Sequence, residues 1–254
     1  MTDRLDATYL LPIRRGAILE DDELPAYFGW MSSVVEVIVV DGSPPPVFAH
    51  HAATWPGTIR HLRPDDDLAC LNGKVWGVNT GLRHASHPRV VIADDDVRYD
   101  EAALRQTVSL LDRFEVVRPQ NYFAPSPWHA RWDTARTLLN RALGGDWPGT
   151  LGLRADLVRQ YAGDVLFENL ELWRTVEAGG GQGIVPLGLY VLRRPPDPSH
   201  FWSQRVRQAY DEFARPPLLL AELAILPAAI GIVLSRRTRA LVPAVIAVVA
   251  VAEY

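Results

Sequence analysis

Two short acidic segments of this 254-residue chain have the composition of ligand-binding loops. Asp94, Asp95 and Asp96 directly follow one apolar run, and Asp41 directly follows another that is rich in β-branched residues. Because alternate residues of an extended segment point the same way, Asp94 and Asp96 present their carboxylates together. Carboxylate oxygens are the ligands that Mg²⁺ and Mn²⁺ prefer. The pattern predicts a hard-cation site, with a solvated acidic turn as the alternative.

Other polar residues are interpreted from their surroundings. Lys74 is the single lysine among 26 basic residues, which makes it a candidate for a specific role. A second acidic triplet, 65–67, follows a proline in a polar stretch and is interpreted as a solvated loop. His50 and His51 have no partner at a metal-ligand spacing and are also interpreted as loop.

Apolar runs alternate with amphipathic segments, and this predicts the elements that position these groups. We interpret residues 7–13, 34–40 and 89–93 as strands and residues 19–33, 71–85 and 101–114 as helices. The alternation predicts an α/β domain with a mostly parallel, Rossmann-like sheet flanked by helices. Ligands bind beyond the carboxyl ends of such strands, so we expect Asp41 and Asp94 to face one crevice.

Composition excludes several classes of protein. Hydrophobic residues make up 48 % of the chain and charged residues 22 %, which excludes a disordered or fibrous protein. The net charge of −4 and the lack of a basic tail argue against a nucleic-acid partner. A single cysteine, Cys70, excludes an internal disulfide and a multi-cysteine zinc site.

The C-terminal part differs in character from the rest. Residues 216–235 contain one charged residue, Glu222, and residues 240–252 contain none. The first segment is long enough to cross a bilayer, which takes about 20 residues. We expect an apolar helical hairpin that spans or only enters the membrane, with a buried hairpin as the alternative. The chain then divides into a domain over residues 1–215 and a membrane-associating segment over residues 216–254.

Several motifs together resemble the family 2 glycosyltransferases, whose fold is GT-A. In order along residues 7–215, they are a strand with Pro12 at its end, a strand before Asp41-Gly42-Ser43, the pair Gly73-Lys74 before a helix with Asn79, and Asp94-Asp95-Asp96. The resemblance implies a metal-dependent enzyme that transfers a sugar from a nucleotide-diphosphate sugar to a hydroxyl, with inversion, using Mg²⁺ or Mn²⁺.

The resemblance also implies roles for the matching residues. Pro12 and Arg14 would line the nucleotide pocket, Asp41 would contact the base, and Lys74 would lie near the base or the diphosphate. Asp94 would contact the ribose or the metal ion. Asp96 would hold the cation, which stabilises the charge that develops on the leaving diphosphate.

The acceptor-side motif departs from the family pattern at one position. The family has a Glu-Asp pair whose second acid is the general base, whereas this chain has Glu168 followed by Asn169. An amide cannot take up the proton of an acceptor hydroxyl. Three explanations are open: Glu168 or Glu171 is the base, the reaction retains the anomeric configuration, or the chain binds a nucleotide sugar without efficient transfer.

Two further pairs of residues are candidate contacts for the diphosphate or the acceptor. Gln204 and Arg207 match part of the Gln-x-x-Arg-Trp motif of processive and lipid-directed members, with Gln208 in place of tryptophan. Trp128 and His129 lie in a segment dense in aromatic residues, which suits sugar or head-group binding. A basic helix at a membrane surface and packing in the core are the respective alternatives.

These observations together predict a membrane-associated hexosyltransferase with a lipid or lipid-linked acceptor. The beginning of the chain lacks the pattern of a signal peptide, so we expect the catalytic domain on the cytoplasmic side of the cell membrane. One alternative is a nucleotidyltransferase, although Arg14-Arg15-Gly16 is a poor glycine-rich loop. The other is a membrane protein that binds a nucleotide sugar with weak or no transfer.

Overall fold

The computed structural model describes residues 4–20, 22–142, 147–165, 167–235 and 238–253. Its strands are β1 (Thr8–Ile13), β2 (Glu36–Asp41), β3 (Arg60–Leu62), β4 (Arg89–Ala93), β5 (Val97–Arg98), β6 (Val116–Val117), β7 (Gln120–Phe123), β8 (Thr150–Arg154), β9 (Gly183–Ile184) and β10 (Tyr190–Arg193). Its α-helices are α1 (Leu24–Val34), α2 (Pro45–Thr54), α3 (Gly73–His84), α4 (Glu101–Leu110), α5 (Trp128–Ala142), α6 (Glu168–Ala178), α7 (Pro198–Asp211), α8 (Pro216–Leu234) and α9 (Leu241–Glu253).

The central sheet is mixed and mostly parallel. In the described part of the chain it has seven strands, in the order β3-β2-β1-β4-β8-β6-β9. The strands β3, β2, β1 and β4 are parallel neighbours, as are β6 and β9, whereas β8 runs antiparallel to β4 and to β6. The predicted α/β class and the mostly parallel sheet are therefore confirmed.

Helices cover both faces of this sheet. On one face, α1 and α4 pack against Tyr9 and Leu11 of β1, and on the other, α3 and α6 share a core with Leu10. Strands that are buried on both faces consist of nearly continuous apolar runs rather than alternating ones. This explains why β1, β2 and β4 stand out in the sequence.

The position of α3 follows from its glycines and its cap. A β-carbon on Gly77 would lie 2.9 Å from Pro12 Cβ, and one on Gly81 would collide with the Leu10 side chain, so α3 packs directly on β1. The helix begins at Gly73 because the side chain of Asn72 accepts hydrogen bonds from the first free backbone amides. The start of α3 therefore lies beyond the carboxyl end of β1.

Contacts divide the chain into two compact units. The first comprises residues 1–121 and 147–193 and holds the central sheet, and the second comprises residues 122–146 and 194–254. In the second unit α5 packs against α9, and Arg205 Nη1 lies 2.9 Å from Asp133 Oδ1. The predicted boundary between residues 215 and 216 concerns membrane association and stays a prediction.

The apolar C-terminal segments form α8 and α9. Among the residues that the structure describes, no helix combines the length and the apolar character needed to cross a membrane. The predicted transmembrane helix is thus not found there, and the predicted membrane hairpin has no support in this structure.

Candidate active site

Four of the residues predicted from the sequence meet at one ammonium group. Lys74 Nζ lies 2.7 Å from Asp94 Oδ1 and 3.1 Å from Glu168 Oε1. It also donates a hydrogen bond to Asn169 Oδ1 at 3.4 Å. These side chains come from the start of α3, the turn after β4 and the first turn of α6. The fold thus joins residues that are up to 95 positions apart.

The charge of Lys74 is firmly fixed. Burial alone would lower its pKa, but the carboxylates of Asp94 and Glu168 outweigh this effect and hold the pKa well above its ordinary value. Lys74 is therefore a permanent cation between two acidic groups.

The acidic turn after β4 is built around two close contacts. Asp94 N donates to Gly149 O at 2.7 Å, and a β-carbon on Gly149 would collide with the Asp94 carboxylate. Asp96 Oδ2 accepts a hydrogen bond from Arg193 Nε at 2.8 Å. Asp96 Oδ1 is buried and has no hydrogen-bond partner among the described residues. A buried carboxylate oxygen without a hydrogen-bond donor is suited to bind a cation, which fits the predicted Mg²⁺ or Mn²⁺ site.

The third aspartate of this turn, Asp95, is repelled by the negative charges of the other two. Burial raises the pKa of Asp95, and repulsion from Asp96 and Asp94 raises it further. Arg15 Nε lies 3.9 Å from Asp95 Oδ2 and offsets part of this effect. A cation bound at the turn would relieve the same repulsion.

The acceptor-side residues lie on α6. Glu168 and Glu171 are half-buried, whereas Asn169 is buried and directs its amide oxygen at Lys74. Next to Glu168, the ring of Phe167 contacts Trp147 at a centroid distance of 5.2 Å. The Arg118 guanidinium lies 4.0 Å from the centroid of Trp147. Sequence reasoning missed this group of Arg118 and aromatic rings, because its members share no motif.

Asn79, on α3, connects this helix to the segment that precedes α6. Its Nδ2 donates to Tyr161 O and its Oδ1 accepts from Tyr161 N, each at 3.1 Å. Burial raises the pKa of the Tyr161 phenol well above its ordinary value, and the charges of Glu168 and Asp94 raise it further. Tyr161 therefore stays neutral beside the acidic groups.

Asp41 ends β2 as predicted, but its side chain is 0 % exposed. Its Oδ2 lies 2.7 Å from His51 Nδ1 and 3.0 Å from His61 Nε2, and its Oδ1 accepts from Ser43 N at 2.9 Å. Asp41 could contact a nucleotide base only if one of the two histidines moved away from it. Its predicted role in base binding therefore stays a prediction. The interpretation of His51 as loop was wrong, because it lies inside α2.

The remaining predicted residues occupy separate places. At the end of β1, Pro12 is half-buried and Arg14 is exposed. Trp128, His129, Gln204 and Arg207 belong to the second unit.

Their surroundings within that unit can be described in part. Trp128 is 56 % exposed, whereas His129 is buried with Nε2 2.8 Å from a backbone carbonyl oxygen. Gln204 Nε2 lies 2.9 Å from a histidine nitrogen of the same helix. The side chain of Arg207 lies outside the described part of the chain. The assignment of these residues to diphosphate or acceptor binding stays a prediction.

Comparison with known proteins gives matches among solved structures alone. No protein-family model matches the chain, and no curated protein matches it. The mannosyltransferase PcManGT from Pyrobaculum calidifontis, in complex with GDP-Man and Mn²⁺, is 21 % identical with a TM-score of 0.58. The match covers 82 % of this chain and 62 % of that protein, so the chain spans less than two thirds of its length.

Glucosyl-3-phosphoglycerate synthase from Mycobacterium tuberculosis is similar in two complexes. With phosphoglyceric acid it is 16 % identical with a TM-score of 0.51, and the match covers 81 % of this chain and 78 % of that one. In the complex with Mn²⁺, UDP-Glc and phosphoglyceric acid, the identity is 17 % and the TM-score is 0.51. This match covers 76 % of this chain and 73 % of that one. At these identities the likeness establishes the fold alone, and this chain has a GT-A-like fold.

Proposed function

We propose that this chain is a hexosyltransferase that uses a nucleotide-diphosphate sugar. The observation that carries the proposal is the junction at Lys74, where Asp94, Glu168 and Asn169 meet at the carboxyl edge of the sheet. Open α/β sheets bind their ligands at this edge. The fold supports the same function, since two similar structures contain a nucleotide sugar and Mn²⁺.

In the proposed reaction, an acceptor hydroxyl attacks the anomeric carbon and the bond from that carbon to the diphosphate breaks. The hydroxyl proton passes to a carboxylate, for which we propose Glu168 because it lies in the junction. Glu171 lies one turn further along α6 and is the second candidate. Asn169 takes no proton, and its amide oxygen instead orients the Lys74 ammonium.

The donor side of the site would hold the diphosphate and its cation. Asp96 and Asp94 are the proposed ligands of Mg²⁺ or Mn²⁺, and Arg193 orients Asp96 through its hydrogen bond. When bound, the cation would neutralise charge on the leaving diphosphate. Lys74 adds a second, permanent positive charge next to Asp94. Pro12, at the end of β1, is proposed to line the nucleotide pocket with Arg14.

Nucleotide binding tests this proposal first. The melting temperature is measured with UDP, GDP, CDP and dTDP, each with and without Mn²⁺. We expect one nucleotide to raise it in a Mn²⁺-dependent way, because a ligand of the native state stabilises that state. Asp96→Asn should abolish the effect. Asp66→Asn, at an exposed aspartate of the other acidic triplet, is the matched control and should keep it. No effect of any nucleotide on the wild type contradicts the proposal.

Sugar transfer tests the role of Glu168. With the donor identified, Glu168→Gln should abolish transfer and retain donor binding, whereas unchanged transfer excludes Glu168 as the base. Asn169→Asp restores the acidic pair of the family and should keep donor binding.

A second candidate function, a nucleotide-sugar-binding protein with weak or no transfer, is favoured by one observation. The amide of Asn169 occupies the place where an acid is expected, and it is bonded to Lys74. Donor binding without transfer or hydrolysis of the sugar, in the presence of a broad set of acceptors, would favour this candidate.

We further propose a lipid or lipid-linked acceptor, with the chain attached to a membrane surface and its catalytic unit on the cytoplasmic side. This rests on large apolar side chains of α8 and α9 that are exposed, namely Leu220, Leu223, Ile225, Leu226, Ile230, Val233, Leu234, Val242, Val245 and Ile246. Exposed apolar side chains in this number are uncommon on soluble monomers.

Vesicle flotation tests the attachment. The wild type should float with phospholipid vesicles, and the double variant Leu223→Glu, Leu226→Glu should not. A wild type that does not float with the vesicles contradicts the proposed attachment to a membrane surface. Phosphoglyceric acid, which is bound in both complexes of the similar synthase, serves as the competing acceptor. Transfer to it in preference to lipid-linked hydroxyls would contradict a lipid acceptor.

A further inference from the structure

A second cluster of potential ligands lies at the carboxyl end of β2. Asp41 ends that strand, His51 comes from α2 and His61 from β3. One ligand atom from each lies within 4.8 Å of the others. Both imidazoles direct a ring nitrogen at the same oxygen, Asp41 Oδ2, at 2.7 and 3.0 Å. Among the described residues no other group of three His, Cys, Asp or Glu side chains has metal-ligand spacing.

The charge of Asp41 requires compensation. Asp41 is fully buried; its Oδ1 accepts a hydrogen bond from Ser43 N, and its Oδ2 faces the two imidazoles. In the described part of the chain, Asp41 contacts the two histidines and no lysine or arginine. A buried carboxylate needs hydrogen-bond donors or positive charge around it, and a metal ion held by the two imidazoles would supply the charge.

The three ligands are held in place by their neighbours. The ring of His51 stacks on Trp55 at 4.1 Å and 10°, and the ring of His61 stacks on Phe48 at 4.2 Å and 20°. The backbone amide of Ser43 holds the other oxygen of Asp41. Groups that orient metal ligands in this way raise the affinity of a site, because less freedom is lost on binding.

We propose that Asp41, His51 and His61 bind a divalent transition-metal ion, Zn²⁺ above all, at a site separate from the Mg²⁺ or Mn²⁺ site proposed at Asp94 and Asp96. Two imidazoles and one carboxylate form a donor set that suits Zn²⁺ and not Mg²⁺. Three protein ligands leave a fourth position for water or another ligand.

The geometry changes on binding. Tetrahedral ligands at about 2.0–2.1 Å from Zn²⁺ lie about 3.3 Å apart. Both nitrogen–oxygen distances would therefore widen from 2.7 and 3.0 Å, and the two ring nitrogens, which lie within 4.8 Å of each other, would approach. Each ring nitrogen that faces Asp41 must be unprotonated when it binds the metal, because only an unprotonated nitrogen is a ligand. The bound ion would connect the end of β2 to α2 and to β3.

Metal analysis of the full chain, purified without metal-affinity steps, tests the site. We expect one zinc ion per chain, and we expect Zn²⁺ added after chelation to raise the melting temperature. Co²⁺ in place of Zn²⁺ should give the visible absorption of tetrahedral coordination, a readout that does not depend on any variant. His61→Gln and His51→Gln should lose the ion.

Two controls separate this site from others. His50→Gln, at the neighbouring position of α2, should keep the zinc ion. Asp96→Asn should also keep it while losing Mn²⁺-dependent nucleotide binding, so a failure of the proposed function and a failure of this site give different results. A wild type that contains no zinc, and whose melting temperature Zn²⁺ does not change, overturns the proposal.

Discussion

At the amino edge of the central sheet the carboxylate of Glu36 is saturated with hydrogen bonds, whereas at the carboxyl edge Asp94 and Asp96 are each held by a single cation. Glu36 begins β2 and accepts from Thr8 Oγ1, from Ser86 N at 3.0 Å, from Ser86 Oγ at 2.6 Å and from Arg60 Nη1 at 3.2 Å. Both of its oxygens have at least two donors. Such a carboxylate contributes to stability and has no capacity left for a ligand.

At the carboxyl edge, Asp94 pairs with Lys74 and Asp96 with Arg193, and Asp96 Oδ1 remains without a partner among the described residues. A carboxylate held by one cation can exchange that cation for a bound metal ion, such as the one that accompanies a diphosphate. The number of donors therefore distinguishes Glu36, which stabilises the fold, from Asp94 and Asp96, which are suited to binding. Four predictions test this difference.

The largest effect is expected at Lys74. Lys74→Met leaves Asp94 and Glu168 facing each other without the ammonium group. We expect kcat/KM for sugar transfer to fall by about 10²–10³-fold and the free energy of unfolding to fall by about 1–3 kcal/mol. Transfer kinetics and urea denaturation measure the two quantities. Arg60→Met removes a cation from Glu36 at the other edge and should leave transfer unchanged. Equal losses of transfer in both variants would refute the distinction.

A smaller effect is expected at the glycine that faces Asp94. In Gly149→Ala the added methyl group collides with the Asp94 carboxylate. Overpacking of this kind costs about 1–3 kcal/mol of stability, and displacement of Asp94 should lower transfer about tenfold, equivalent to about 1.4 kcal/mol in the barrier. Gly188→Ala is the control, because its methyl group would meet no atom within 4 Å. Wild-type transfer in Gly149→Ala would show that the position of Asp94 is unimportant.

Asn79→Ala tests how the carboxyl edge is supported. It removes both hydrogen bonds to the backbone of Tyr161 and leaves two buried groups without partners. We expect a loss of about 1–3 kcal/mol, which calorimetry would record as a fall in melting temperature. Thr54→Ala removes an exposed hydroxyl that bonds within its own helix, and its effect should stay within about 0.5 kcal/mol. Equal changes in the two variants would contradict a supporting role for Asn79.

The smallest effect concerns the amino edge and acid pH. Burial alone would raise the pKa of Glu36, but hydrogen bonds led by those of Ser86 and Thr8 hold it below its ordinary value of 4.5. The unfolded chain then binds more protons than the native state, so this stabilisation is present above pH 4.5 and is lost as the pH falls through the lowered pKa.

Urea denaturation at a series of pH values measures this loss. Between about pH 6 and pH 3, the wild type should lose more stability than Glu36→Gln. Parallel curves for the two proteins would mean that the hydrogen bonds of Glu36 do not favour its ionised form.

The sequence analysis was most successful where local patterns carry the information. The continuous apolar runs predicted β1, β2 and β4, and a parallel sheet necessarily gathers the ends of its strands at one edge. That Lys74 and Asp94 meet follows from these elements. Glu168 and Asn169 were identified through the family resemblance, and the structure places both beside Lys74. Their chemical roles remain predictions.

Other parts of the site were beyond sequence reasoning. His51 and His61 lie 10 and 20 residues from Asp41, on a helix and a strand, and no regular spacing relates them. Arg193 reaches Asp96 across 97 residues. The need for glycine at position 149 appears only when β8 is placed antiparallel beside β4. Each of these contacts depends on tertiary packing, which spacing along the chain does not record.

The contact of Gly77 and Gly81 with β1 has a consequence for motion. A helix packed directly on a strand resists sliding and rolling, because a small rotation would drive a larger neighbouring side chain into the strand. Lys74, at the start of α3, is thus held in place relative to β1 by this close packing.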